Sequence, residues 1–195
     1  GYFDNLPQEA SPIEIGNKIT NRFLEQGHSQ YGSPLRVNEP RTQITYPDVC
    51  TWLGGLWFAQ ETDNKDLTER LKARFEPLFT NEAYLQPKPN HVDNNVFGAV
   101  PLELYLQTRE ERYKTLGMMY ADSQWELPAN WKLEEGEERQ SSMYGDFKDA
   151  DICQPEQKEW ADKGYSWQTR FWLDDMYMIT TIQAQAYRVT NDRKY

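Results

Sequence analysis

The chain alternates segments that are apolar around most of their circumference with segments apolar along a single stripe, and short polar breaks separate them. Ser11-Pro12-Ile13-Glu14 supplies an N-cap serine, a proline at the first helical position and a glutamate three residues after the cap. Ile15, Ile19 and Phe23 then recur every four residues up to Gly27, so the spacing predicts a helix over 12–26 with that stripe as its apolar face. After Tyr46-Pro47-Asp48, the residues Val49, Trp52, Leu53, Leu56, Trp57 and Ala59 make a second helix, apolar over most of its surface, that breaks at Thr62-Asp63-Asn64. Leu67, Leu71, Phe75 and Leu78 fall on one stripe of a third, whose other faces carry Lys65, Glu69, Lys72 and Arg74 and meet water.

The order then repeats. His91 to Gln107 is apolar almost all round and ends at Thr108-Arg109-Glu110, and a charged helix with Tyr113, Leu116 and Tyr120 follows. A third copy runs from Trp172 to Arg188 and ends at Thr190-Asn191-Asp192. The three break threonines are 46 and 82 residues apart. The surplus of the second interval is close to the span of an acidic, Trp-rich insertion between Ser123 and Gly164. Aligned on the threonine, the last two copies superpose Tyr105 on Tyr187, Tyr113 on Tyr195 and Asp93 on Asp175, an internal repeat. Enclosed helices alternating with amphipathic ones suit a double ring, inner helices covered by outer ones and loops at one rim framing a pocket. A plain bundle or an open solenoid shares the periodicity. Pro101 falls inside one inner helix and should kink it or mark an irregular first turn.

Composition narrows the function. A chain of 195 residues suits one domain, 1–195, with 123–167 as a long insertion within it. The net charge of −10 comes without the clustered Lys and Arg that nucleic acid demands, and no apolar run approaches the ~20 residues of a membrane span. Seven Trp, twelve Tyr and eight Phe exceed what a small core requires; flat amphipathic rings suit a cleft that holds sugars, as well as the space between helices. Cys50 and Cys153 are too few for a disulfide framework or a zinc site; Cys50, in an apolar stretch, is expected to be buried, and His28, in a polar loop, to lie at the surface. The opening at Gly1 has neither a charged n-region nor an apolar h-region. A periplasmic or secreted protein with its leader removed is set slightly ahead of a cytoplasmic one.

Two adjacent carboxylates, Asp174 and Asp175, stand at the start of the last apolar run, flanked by Trp172 and Tyr177. The helix dipole favours acid there by roughly 0.3–1 kcal/mol, and successive side chains diverge by about 100°. One acid can therefore work while its neighbour caps.

The segments His91-Val-Asp-Asn-Asn-Val-Phe-Gly98 and Trp172-Leu-Asp-Asp-Met-Tyr-Met178, each followed by its threonine break, resemble glycoside hydrolase family 105, the unsaturated rhamnogalacturonyl hydrolases, which are related to the family 88 unsaturated glucuronyl hydrolases. Tyr46 to Thr62 is similar to that family's first inner helix, so the likeness covers most of 12–195. The resemblance implies an (α/α)6 barrel, of which this chain looks like the N-terminal half, with the family's later motifs finding no counterpart before Tyr195. It also implies removal of a 4,5-unsaturated uronic acid from the non-reducing end of lyase-generated pectin oligosaccharides by hydration of the vinyl ether, with Asp174 as acid and base. Asp93 matches the second family aspartate, expected to orient water or bind substrate. Tyr46 and Met178 match positions lining the family's pocket.

Given the substrate and acid that the resemblance implies, residue chemistry adds further candidates. Trp172 and Trp167 could provide the poorly hydrated setting that a proton-donating acid needs. Arg170 could pair bidentately with the substrate carboxylate, with a surface ion pair as its plain alternative. His91 is a candidate for substrate contact, or a hydrogen-bonded structural group. Neither histidine makes a metal site with Asp93 by spacing, so no metal and no cofactor is expected. The insertion carries Trp125, Trp131, Glu134, Glu135, Glu137 and Glu138 and could be a lid or specificity loop. Two other functions fit the same chain: an unsaturated glucuronyl hydrolase acting on other acidic polysaccharide fragments, and a noncatalytic helical-repeat protein binding through its aromatic surface.

Overall fold

A computed structural model describes residues 6–28, 41–127, 155–169 and 172–195. Among the described residues the only regular structure is helical. The α-helices are α1 (Pro12–Glu25), α2 (Tyr46–Glu61), α3 (Lys65–Phe75), α4 (Val92–Asn95), α5 (Ala99–Thr108), α6 (Glu111–Ser123), α7 (Pro155–Asp162) and α8 (Leu173–Thr190). The architecture is the all-α double layer of an (α/α)6-type ring. Helix α5 lies between α2 and α8, and these three form the inner layer. Helices α1 and α3 cover α2, while α6 covers α5 and α8.

Local chemistry sets the boundaries. The Ser11 side chain accepts from the Glu14 N–H at 3.1 Å and starts α1. The Asp48 carboxylate accepts from the Thr45 N–H at 2.9 Å and from the Arg41 guanidinium, starting α2. Asn64 caps α3 by accepting from Leu67 N–H at 3.0 Å. Pro101 sits in the first turn of α5, directly after a 3-10 stretch at Val96–Gly98. Proline offers no N–H and crowds the carbonyl four residues back, so the inner segment enters as α4, a 3-10 turn and then α5.

All three inner helices stop in the same way. The hydroxyls of Thr62, Thr108 and Thr190 donate to the carbonyls of Phe58, Leu104 and Ala186 at 2.7, 2.8 and 2.8 Å. The residue that follows each threonine turns left-handed, at φ 48° for Asp63, 63° for Arg109 and 57° for Asn191. The repeat read from the threonines is thus a repeat of geometry. It extends to the outer layer: Tyr113 and Arg112 hold Glu76 at the end of α3, and Tyr195 and Lys194 hold Asp122 at the end of α6, with Tyr195 Oη donating to Asp122 Oδ1 at 2.6 Å.

Packing corrects the reading of α1. Ile15 and Ile19 are exposed, and Phe23 alone of that stripe is buried. The face laid on α2 is Gly16, Thr20 and Phe23, because the helices approach so closely that a Cβ on Gly16 would stand 2.5 Å from the Phe58 ring. Small residues select the contact there. The core beneath is aromatic: Phe23, Trp52, Phe75, Phe97 and Tyr120 follow one another at centroid spacings of 5.1–5.7 Å. Much of the aromatic surplus is therefore core. His28 is buried rather than at the surface, packed against Trp52 with its Nδ1 2.5 Å from a Glu82 carboxylate oxygen. Cys50 is exposed rather than buried. It shares a stripe of α2 with Tyr46, Gly54 and Trp57, all exposed, on the side turned away from the core residues Val49, Trp52, Leu53 and Leu56.

The neck of the insertion closes on itself, since Trp167 Nε1 donates to the Ser123 carbonyl at 2.7 Å. Residues 128–154, with Trp131, Cys153 and the acidic run, lie outside the described residues.

Candidate active site

The site is built where inner helices begin. Gln43, just before α2, donates to the Asn94 side chain on α4 at 2.9 Å, and α4 packs on α8. The Tyr177 hydroxyl on α8 is hydrogen-bonded to Cys50 on α2; burial and that bond push its pKa up to about 12. The starts of three inner segments are thereby gathered at one rim.

At that rim Asp93, Asp174 and Asp175 bring carboxylate oxygens within 4.8 Å of one another. The tandem pair divides as its helical phase demands. Asp175 is buried, on the face it shares with Met178, Ile182 and Ala186; Asp174 is exposed, on the face it shares with Tyr177, Ala184 and Arg188. Asp93 is intermediate. One carboxyl is thus free to meet a ligand while its neighbour is embedded in the protein and a third stands beside both. The three carboxylates are close enough to share a hard cation whose remaining positions water would fill, and the described cluster offers no imidazole or thiolate.

His91 is buried, and its Nδ1 accepts from the Asp93 N–H at 3.2 Å as the N-cap of α4. That nitrogen also lies 3.7 Å from an Asp93 carboxylate oxygen. A lone pair engaged with an N–H cannot carry a proton, so the cap describes the contact and an ion pair does not. His91 fixes the backbone that presents Asp93. Met178, expected at the pocket, is buried to 3% exposure in the core because it follows the Asp175 phase of α8. Tyr46 (43% exposed) and Trp172 (48% exposed) both present surface, and Trp167 is buried. Arg170 lies outside the described residues.

A groove of about 630 Å³ opens at the other end of the inner helices, among Ala59, Gln60, Asn64, Lys72, Gln107 and Glu110. Asp63, Lys65 and Glu69 also line it, and Lys72 and Glu110 pair with each other at 2.5 Å. The grouped aspartates lie at the opposite ends of these helices.

A family model described as Glycosyl Hydrolase Family 88 matches residues 15–195. The chain belongs to Glycosyl Hydrolase Family 88. It is accordingly a glycoside hydrolase, of a family that implies unsaturated glucuronyl or uronyl hydrolase activity. No curated protein and no solved structure gives a significant match. One further residue escaped the sequence reading: Glu103, fully buried in α5. A lone carboxylate within Val100-Pro-Leu-Glu-Leu-Tyr-Leu106 was its signal.

Proposed function

We propose that the protein removes a 4,5-unsaturated uronic acid from the non-reducing end of oligosaccharides left by polysaccharide lyases, and that Asp174 is both acid and base. The observation that carries this is the grouping of Asp174 with Asp93 at the open rim, one acid exposed and the other half-buried. Asp174 gives its proton to C4 of the enol ether; as the conjugate base it takes a proton from the water that adds at C5. The resulting hemiketal opens, and the bond to the remaining sugar is lost. Asp93 orients that water or a sugar hydroxyl. Tyr46 and Trp172 offer flat surface to the ring, and Arg170 pairs with its carboxylate.

The resemblance of the two aspartate segments to family 105 favours a pectin-derived rhamnogalacturonan substrate. The family 88 match favours a second reading, in which the uronate comes from glycosaminoglycan or another acidic polysaccharide. The two are separated by following the ultraviolet absorbance of the conjugated uronate with each disaccharide at equal concentration. The first reading expects the higher kcat/KM on the unsaturated rhamnogalacturonan disaccharide, and a preference for a glycosaminoglycan disaccharide replaces it with the second. A protein that consumes no unsaturated uronide overturns both.

A further inference from the structure

Five residues before each threonine break stands the same repeat position, occupied by Trp57 in α2, Glu103 in α5 and Gln185 in α8. The three side chains meet. Glu103 Oε2 accepts from Trp57 Nε1 at 3.0 Å and from Gln185 Nε2 at 2.6 Å. Arg188, one turn further along α8, donates to the same oxygen at 2.7 Å, and Gln107 donates to Oε1 at 3.0 Å. Glu103 has no exposed surface. Burial opposes its charge, but the four hydrogen bonds overcome that and hold its carboxyl below the usual range. Interior hydrogen-bond networks are strong when every member is satisfied, and this one joins three helices through one group.

We propose that Glu103 is a positioning residue whose carboxylate sets the axial register and rotation of α2 and α8 against α5, and so holds Asp174 beside Asp93. The lever is short. Asp174 lies eleven residues up α8 from Gln185, about 16 Å at the rise of an α-helix. A rotation or slip permitted at Gln185 therefore reaches the catalytic rim through a stiff rod. The role assigned to Asp174 rests on the function proposed above; the register itself does not.

The test exploits the repeat. Glu103→Gln leaves the shape and removes the charge, whereas the double exchange Glu103→Gln with Gln185→Glu returns one carboxylate and one amide to the same pair of facing positions. In the single variant, assayed well below its melting temperature, kcat on an unsaturated uronyl disaccharide is expected to fall at least tenfold with KM within about twofold. Hydrogen exchange should quicken across α2 and α8 while α3 and α6 keep their protection. The exchange variant is expected to recover kcat to within about threefold of wild type and to restore protection.

Three results overturn the proposal: wild-type kcat in Glu103→Gln despite a lowered melting temperature, a uniform rise in exchange across all helices, or an exchange variant no better than the single one. Should Glu103→Gln fail to fold, the double exchange decides alone, since a folded and protected double variant supports the hub and an unfolded one refutes it. A wild-type protein without activity would sink the proposed reaction and leave the exchange comparison standing as the measure of register.

Discussion

Asp174 and Asp175 differ by one position and by their surroundings, so the same conservative change should separate chemistry from folding. Asp174→Asn is expected to cut the rate on an unsaturated uronide by roughly 10²–10⁴-fold, the range of a lost general acid and base, with the melting temperature unchanged. Asp175→Asn, at a buried site, should lower stability by about 1–3 kcal/mol in urea denaturation. If Asp175→Asn spares stability and abolishes the reaction, the roles are reversed. The proposed chemistry runs without a cation, so EDTA should leave the rate unchanged; a loss restored by a divalent ion would make the three aspartates ligands. The pair was legible because two acids opening an apolar run are conspicuous. Which of them is buried was not, because that depends on α4 packing against α8. Met178 illustrates the same limit: four residues from Asp174, it nonetheless follows the buried phase of its neighbour. His28 and Cys50 were misplaced because local polarity does not tell whether a distant segment covers a residue, as at His28, or leaves it bare, as at Cys50.

At the scale of elements, periodicity recovered α1, α2, α3, α6, α8 and the alternation of layers, including the irregular entry at Pro101, but it read α4 and α5 as one helix and placed none at α7. It misjudged the packing face of α1, where Gly16 decides the approach and the isoleucines are left outside. Glycine contacts of this kind give opposing expectations. A Cβ on Gly98 would stand 2.5 Å from Tyr120 Cβ and 3.0 Å from the Gly117 carbonyl oxygen, so Gly98→Ala should cost about 1–3 kcal/mol through overpacking. Gly54, on the exposed stripe of α2, has nothing within 4 Å of its Cβ position. Gly54→Ala should stabilise by roughly 0.5–1 kcal/mol, the helix-interior cost of glycine. Thermal unfolding of the two variants checks both signs.

For the molecule as a whole, His28 makes stability depend on pH. Its pKa is lowered by burial and by the Arg74 guanidinium, against the pull of the Glu82 and Asp48 carboxylates. The unfolded chain, with an ordinary histidine near 6.5, therefore binds the proton first. No stability is lost from this source above that value, and the loss accumulates as pH falls below about 6.5 toward the folded pKa. Urea midpoints measured across that window should fall with pH, and His28→Gln should flatten the slope; an unchanged slope would assign the dependence to other groups. The two-layer alternation was legible from the repeat and its ring form only through the family resemblance, while the closure of the insertion through Trp167 and Ser123 was not legible at all, since nothing in either residue names the other.

The outer-layer hooks have an implication for synthesis. Each new tyrosine, Tyr113 and then Tyr195, grips an acid that ended the preceding covering helix. In each of these two cases the acid precedes its tyrosine in the chain, so a nascent polypeptide carries the receiving group before the group that grips it is translated.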